Sequence, residues 1–353
     1  MASVIKFDTW QNTNGEVIAD TAGGARLPLS GNAIINGDFG VWQRGTSESG
    51  ALADGLYLAD RWKNLWTGAG NPTNVTVSRE SFTPGELDVN GFGEPEFYQK
   101  MVITTVGSST GYRIEHDVED VRTFAGQAVT ASFWLKADEA HSLTLETVQF
   151  FGSGGSTAVA NSFSLSQSTT PTSWTRITAT ANVPSVSGKT IGTGSKLVLR
   201  FDFGTDADGD EVSIWGVQLE AGSVATPFRL AGGGSKAAEL ALCQRYYYRN
   251  TPGLAYSNHA QGIGQSSSVV SFLVPLPTTM RTAVSSVDYA NLNIELPGVA
   301  VYSFSSLALA TQALGINMVK IFTSGSSGLT TARPYYLASN NSTDAYIGFS
   351  AEL

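Results

Sequence analysis

The sequence is poor in the residues that most catalytic machinery uses. Of 353 residues one is cysteine, Cys243, and three are histidine, His116, His141 and His259. A single cysteine excludes a disulfide framework within the chain and a cysteine-ligated zinc site. A small buried apolar side chain is its expected role. No histidine falls in an HExxH spacing or beside a nucleophile motif, and GxSxG and P-loop sequences are absent. Gly262 and Gly264, in QGIGQSSS, precede no helix pattern and make no phosphate cradle. Conventional triad chemistry is not expected, and the chain reads as a non-enzyme.

Charge is scarce as well. Charged residues make up 14% of the chain, and 21 Lys and Arg against 30 Asp and Glu leave a net charge of −9. That balance disfavours nucleic acid and anionic membranes as partners. Long apolar runs are also missing: nothing reaches the ~18 residues of a membrane span, and the first residues, MASVIKFDTWQ, hold no apolar run of signal-peptide length.

What the chain does have is small and β-forming. Ser, Thr and Gly, at 39, 35 and 38, fill 112 positions, and 42% of residues are hydrophobic. That mixture supports a packed core but not a helix-rich protein, which carries more Glu, Lys and Arg. KLVLRFDFG sets Leu197, Leu199, Phe201 and Phe203 on one side of a strand, opposite Val198, Arg200 and Asp202. GYRIEHDVE does the same with Tyr112, Ile114, His116 and Val118 against Arg113, Glu115, Asp117 and Glu119. Both predict strands with one wet face. VTVSRESF, FYQKMVITT, VTASFWLKA, SLTLETVQFF, WTRITATANV and EVSIWGVQLE continue the pattern, with AIINGDF a further candidate. Residues 32–230 therefore predict an all-β unit, a β-sandwich or jelly roll. AGGGS, at 231–235, is the best domain boundary. Beyond it SKAAELALCQRYYYR predicts a short helix capped by Ser235 that feeds a strand, opening a second, smaller C-terminal β-domain over 231–353. Residues 1–31 are too short to fold alone and read as an arm.

Three groups could carry chemistry. Glu115, Asp117 and Glu119 share one strand face about 7 Å apart, within reach of glycosidase geometry; a solvated acidic face is the alternative and the favoured reading. The loop GTDADGDE places Asp206, Asp208 and Asp210 at alternate positions, able to converge oxygens on calcium. Gly209 and Val217 fall out of EF-hand register, so a metal-free acidic turn is favoured there, and no other cofactor is indicated. Trp42, Tyr57, Trp62 and Trp66 gather in a Gly- and Asn-rich region and could form an aromatic platform for sugar rings. The alternative is that Trp42 and Trp62 are core residues under a long loop, which leaves Trp66 as the better platform candidate.

Residues 32–39 (NAIINGDF), 41–45 (VWQRG) and 59–62 (ADRW) resemble the opening of carbohydrate-binding-module-like jelly rolls in bacteriophage tail-fibre and other virion proteins. Residues 212–229 (VSIWGVQLEAGSVATPFR) look like that module's last strand and exit, residues 238–249 (AELALCQRYYYR) like the segment that follows it, and GFSAEL like the C-terminus of such proteins. The arm ASVIKFDTWQNTNGEVI is similar to N-terminal attachment segments of short phage fibres. The resemblance implies a homotrimeric virion appendage, attached to other virion proteins through residues 1–31, that adheres to a host surface polysaccharide. It carries over no catalytic residues, and it makes WQRG and ADRW fold determinants. Tyr246, Tyr247 and Tyr248 are expected at contacts between chains. Other readings are a capsid decoration or head-fibre protein, a cellular carbohydrate-binding module, and a depolymerase acting through Glu115, Asp117 or Glu119.

Overall fold

The computed structural model describes residues 9–11, 17–20, 31–89, 92–205, 207–310 and 315–353. From the arm, β1 (Thr9–Gln11) and β2 (Val17–Asp20) pair antiparallel, Thr9 opposite Asp20. The remainder of residues 1–30, and Asp206, lie outside the described residues.

Among the described residues thirteen strands make a sandwich: β3 (Ser47–Gly50), β4 (Leu56–Tyr57), β5 (Trp62–Gly68), β6 (Asn74–Ser81), β7 (Phe97–Thr105), β8 (Ser109–Glu119), β9 (Ala128–Ala137), β10 (Leu143–Phe150), β11 (Val159–Ser162), β12 (Ser164–Leu165), β13 (Thr175–Asn182), β14 (Lys196–Phe203) and β15 (Glu211–Ala221). One sheet has the order β11-β10-β14-β8-β5-β4, the other β12-β13-β9-β15-β7-β6-β3. From β7 to β10 and again from β13 to β15 every connection crosses between the sheets, which is jelly-roll topology. The alternation read from the sequence produces the core directly. Leu197, Leu199, Phe201 and Phe203 of β14 are fully buried, and Phe201 meets Phe133 of β9 edge-to-face at 4.9 Å.

AIINGDF departs from expectation: it is a turn, not a strand. Asn32 Oδ1 accepts from Ile34 N and Leu219 N, and Asn36 donates to the Val41 and Asp60 carbonyls, so short polar side chains take the bonds a ladder would use. Asn36 sits at φ +59°.

The outer face of the seven-stranded sheet is not open. Trp134 of β9 and Trp215 of β15 project from it and are buried with Phe82, Leu87, Val89, Phe228 and Leu230 in a separate aromatic cluster. Beside Trp215 the β15–β9 pairing breaks into a bulge containing Gly216, at φ +66°, where a Cβ would stand 2.7 Å from the Trp134 ring.

After β15 the chain enters α1 (Lys236–Gln244), whose N-cap Ser235 accepts from Ala238 N. Among the described residues ten strands follow: β16 (Tyr247–Asn250), β17 (Asn258–Gly264), β18 (Val270–Pro275), β19 (Ser286–Ala290), β20 (Leu292–Leu296), β21 (Ala300–Tyr302), β22 (Ser306–Leu309), β23 (Met318–Ser324), β24 (Pro334–Ser339) and β25 (Tyr346–Ser350). They form a three-stranded sheet, β16-β25-β19, and a seven-stranded sheet, β21-β20-β24-β17-β18-β23-β22, around a second core that includes Phe272, Ile294, Ile321, Leu337 and Phe349. The helix and strand after AGGGS match the sequence reading, and the protein is an all-β jelly roll followed by a smaller β-domain. β25 then delivers the last residues back to the jelly roll, with Ala351 N donating to Tyr246 O and Glu352 pairing with Arg44 and Arg61.

Candidate functional site

The quoted sequence motifs meet in one place. Trp62 Nε1 donates to Asn36 O, closing the 32–39 turn onto β5. Arg61, fully buried, sets its guanidinium 3.4 Å from the centre of the Tyr246 ring, donates to the Asp117 carbonyl and pairs with Glu352. Arg44 lies 3.5 Å over Tyr247 and pairs with Glu352 at 3.2 Å. Gln43 Nε2 donates to Tyr247 O at 2.6 Å, and Lys196 Nζ donates to Leu353 O. WQRG, ADRW, RYYYR and SAEL are therefore the two sides of a joint between jelly roll and C-terminal part. Burial raises the Asp60 carboxyl within it to about 6. Tyr246 and Tyr247, expected between chains, are consumed inside one chain.

The aromatic platform does not form. Period-two alternation in β5 turns Trp62, Asn64 and Trp66 to the same, inner side, leaving Trp62 at 0% and Trp66 at 8% exposure. Trp66 packs against Tyr112 at 5.3 Å; Trp42, also buried, donates from Nε1 to Phe39 O. Tyr57 is half-buried with Arg44 5.1 Å from its ring centre. The three tryptophan rings offer no free face to a sugar.

The acidic face of β8 is not free in solvent either: Glu115 and Asp117 are buried, and Glu119 is ion-paired at the partly exposed end. Asp117, 1% exposed, sits between Lys63 at 2.8 Å and Lys196 at 2.7 Å; Glu115 pairs with Arg200, and Glu119 with Arg245. Burial alone would raise the Asp117 carboxyl, but the two lysines outweigh it and hold it below the ordinary range. That is the wrong direction for a general acid.

The calcium loop is divided. Asp208 Oδ1 accepts from Val106 N, while Asp210 Oδ2 accepts from Ala207 N and lies 4.0 Å from His141 Nδ1. His141 Nε2 is 2.9 Å from Asp138 Oδ1. Among the described residues a grouping that could hold a metal is thus Asp138, His141 and Asp210, without Asp208. The two imidazole nitrogens face different carboxylates, an arrangement suited to clamping loops together. Sequence spacing missed a second pairing, His259 Nε2 with Ser339 Oγ at 3.0 Å, because 80 residues separate them. Ser339 is 1% exposed, and burial pushes His259 down to about 4.

A different site emerges where the 37–41 turn, the approach to β7 and α1 converge at one end of the seven-stranded jelly-roll sheet. Phe92, Phe97 and Trp215 wall a cavity of about 120 Å³, with Asp38, Glu96 and Lys236 among its polar lining. Lys236 pairs with Glu96. Burial raises the Asp38 carboxyl, and its Oδ1 accepts from Gly40 N at 3.3 Å. Glu239, also lining the cavity, is fixed by Asn36 N and Gly232 N at 2.5 and 2.6 Å. Trp215 is only 1% exposed and Arg79 lies 4.2 Å over the Phe97 ring, so the apolar surface open to a ligand comes from the half-buried Phe92 and Phe97; beside the hydrogen-bonding groups it suits one sugar ring or chain end rather than a larger ligand. No spacing announced this site, since Asp38, Phe97, Trp215 and Lys236 come from four distant segments.

No family model matches the chain, and no curated protein matches it. Solved structures do align with part of it. They include the Clostridium thermocellum endo-1,4-β-D-xylanase 10B CBM22-1–GH10 modules complexed with xylohexaose, at 13% identity over 47% of this chain and 27% of that one, TM-score 0.28. This chain thus spans under a third of the xylanase chain's length. A family 11 carbohydrate-binding module from Clostridium thermocellum, in complex with a β-1,3-1,4-mixed-linked tetrasaccharide, aligns at 12% identity over 52% of this chain and 99% of its own, TM-score 0.28. A cyclase from Fischerella sp. TAU aligns at 13% identity over 56% and 99%, TM-score 0.34.

Proposed function

We propose that the protein is a virion component, a tail fibre or receptor-binding protein, that adheres to a host surface glycan without cleaving it. The observation that carries the binding part is the cavity beside the half-buried Phe92 and Phe97, where aromatic surface and hydrogen-bonding groups converge. Ion pairing of Glu115, Asp117 and Glu119 supports binding over cleavage, because each carboxylate is committed to a cation. The virion part rests on the sequence resemblance, with residues 1–31 attaching the protein to the particle. That resemblance also implies a homotrimer, and avidity from several copies would compensate for a weak single site. A capsid decoration or head-fibre protein of the same build is the second reading.

The test is to incubate the protein with host envelope polysaccharide and measure both retention and release of reducing ends. Retention without release, reduced roughly tenfold by Phe97→Ala, is expected. Release of oligosaccharide would make the protein an enzyme, and retention indifferent to Phe97 would move the site elsewhere.

A further inference from the structure

The sheets of this protein treat their outer faces differently. The six-stranded jelly-roll sheet covers its face with ion pairs such as Arg200–Glu115 and Lys63–Asp117, and its seven-stranded partner carries the aromatic cluster around Trp215. Among the described residues the seven-stranded C-terminal sheet has neither cover. Ile263 and Leu273, on adjacent strands, stand 52% and 51% exposed at its centre. Exposed apolar area of this kind marks an interaction surface.

The pairing register shows what fits it. Reading across five strands, Glu295 of β20 pairs with Tyr336 of β24, Tyr336 with Gln261 of β17, Gln261 with Leu273 of β18, and Leu273 with Lys320 of β23. Directly paired residues point to the same side of a sheet, so these five side chains form one row about 19 Å long at a strand spacing of ~4.8 Å. Among the described residues neither Glu295 nor Lys320 takes part in an ion pair. The row is self-complementary about its middle residue. A two-fold axis parallel to the strands through Gln261 sets Gln261 against its own copy, Tyr336 against Leu273, and Glu295 against Lys320.

Relief agrees with this match. A shallow depression of about 540 Å³ lies over β17 and β18, bordered by Gln261, Leu273 and Lys320. It is where the symmetry places the half-exposed Tyr336 ring of the second copy. Ile263, next but one to Gln261 on the axis strand, meets its own copy. A seven-stranded face roughly 30 Å by 20 Å offers about 600 Å² per copy, reaching the low end of specific interfaces when counted on both sides.

We infer that this face is an isologous self-association surface whose partner is a second copy of the same chain, in register through the Glu295–Tyr336–Gln261–Leu273–Lys320 row. The symmetry is two-fold, which separates it from the trimer implied by the fibre resemblance. All five positions reach the surface, so charge exchange tests binding without threatening the fold.

Mass is measured by light scattering on the full chain over about 1–100 µM, a range in which an interface of this size associates. Lys320→Glu and Glu295→Lys alone each place like charges opposite one another twice and should weaken dimerisation by roughly tenfold or more. The double exchange restores opposite charges and should recover most of that loss. Gln261→Cys should give dimers with a short bis-maleimide, whereas Val224→Cys, also exposed but on the jelly roll, should not; circular dichroism confirms that each variant is folded. A monomer throughout the range overturns the inference. So does a trimer that never doubles to a hexamer, or association that ignores the single exchanges or fails to return in the double.

Discussion

Arg61 holds its guanidinium over the Tyr246 ring, 3.4 Å from the ring centre, although 185 residues separate the two. The contact joins the turn before β5 to the segment after α1, and Glu352 at the chain's end completes it. Cation–π contact and ion pairing are strong here because Arg61 is fully removed from water and would otherwise bear an uncompensated charge.

Arg61→Ala is accordingly expected to cost about 3–5 kcal/mol, the range for breaking a buried pair. Arg61→Lys should not rescue it, since a lysine cannot stack a planar fork on Tyr246 while reaching Glu352 and the Asp117 carbonyl. Denaturant unfolding within about 1 kcal/mol of the parent would show the joint to be energetically idle.

Replacing Trp66 and Phe97 separates core from site. Trp66→Ala should destabilise the fold by about 3–5 kcal/mol as a large core truncation. Phe97→Ala, at a half-buried cavity wall, should cost less stability yet lose glycan retention. Thermal melts and retention assays on the same preparations check both; retention lost equally in the two variants would make the Phe97 effect a folding effect.

Gly216→Ala tests the β15 bulge. The position combines φ +66° with a 2.7 Å approach to Trp134, so both backbone strain and overpacking oppose a methyl group. A loss of about 2–4 kcal/mol is expected, together with a change in near-ultraviolet signal from the Trp134–Trp215 pair. Parent-like stability would mean that the bulge can rearrange.

Stability should also depend on acid. His116 and His259 are held neutral by burial, their folded values lowered to about 3 and about 4 from 6.5. A lowered histidine contributes stability above its unfolded value and loses it as pH falls through 6.5 toward the folded value, since only the unfolded state then binds the proton. Asp60 has the opposite sign: raised from 3.8 to about 6, it favours the folded state below about pH 4, and that contribution fades as pH rises toward 6. Between pH 6 and 4 the parent should weaken on acidification, His259→Asn should flatten the slope by about 2–3 kcal/mol over that interval, and Asp60→Asn should steepen it. Calorimetry across this range decides, and slopes unchanged in both variants would contradict the burial of these groups.

Strand identity was legible wherever one side of a strand is a continuous apolar row, as in β8 and β14, because the two-residue repeat is a local property of extended backbone. The helix after AGGGS was legible too, from Ser235 and the helix formers behind it. AIINGDF was misread because its apolar residues look strand-like while Asn32 and Asn36 form bonds with carbonyls and amides far along the chain.

By itself, then, the sequence determined the all-β class, the order of most strands and the absence of a cysteine-held site. Tertiary structure alone decided what each outward side chain faces. Lys63 and Lys196 turn a supposedly wet acidic row into buried ion pairs, and β5 turns its tryptophans inward. Asp38, Phe97, Trp215 and Lys236 reach one cavity only because the 37–41 turn and α1 meet at one end of the same sheet. Alternation specifies which side of a strand is apolar, but the surroundings of either side are set by strand order and by segments that return from far along the chain, as Glu352 does to Arg61.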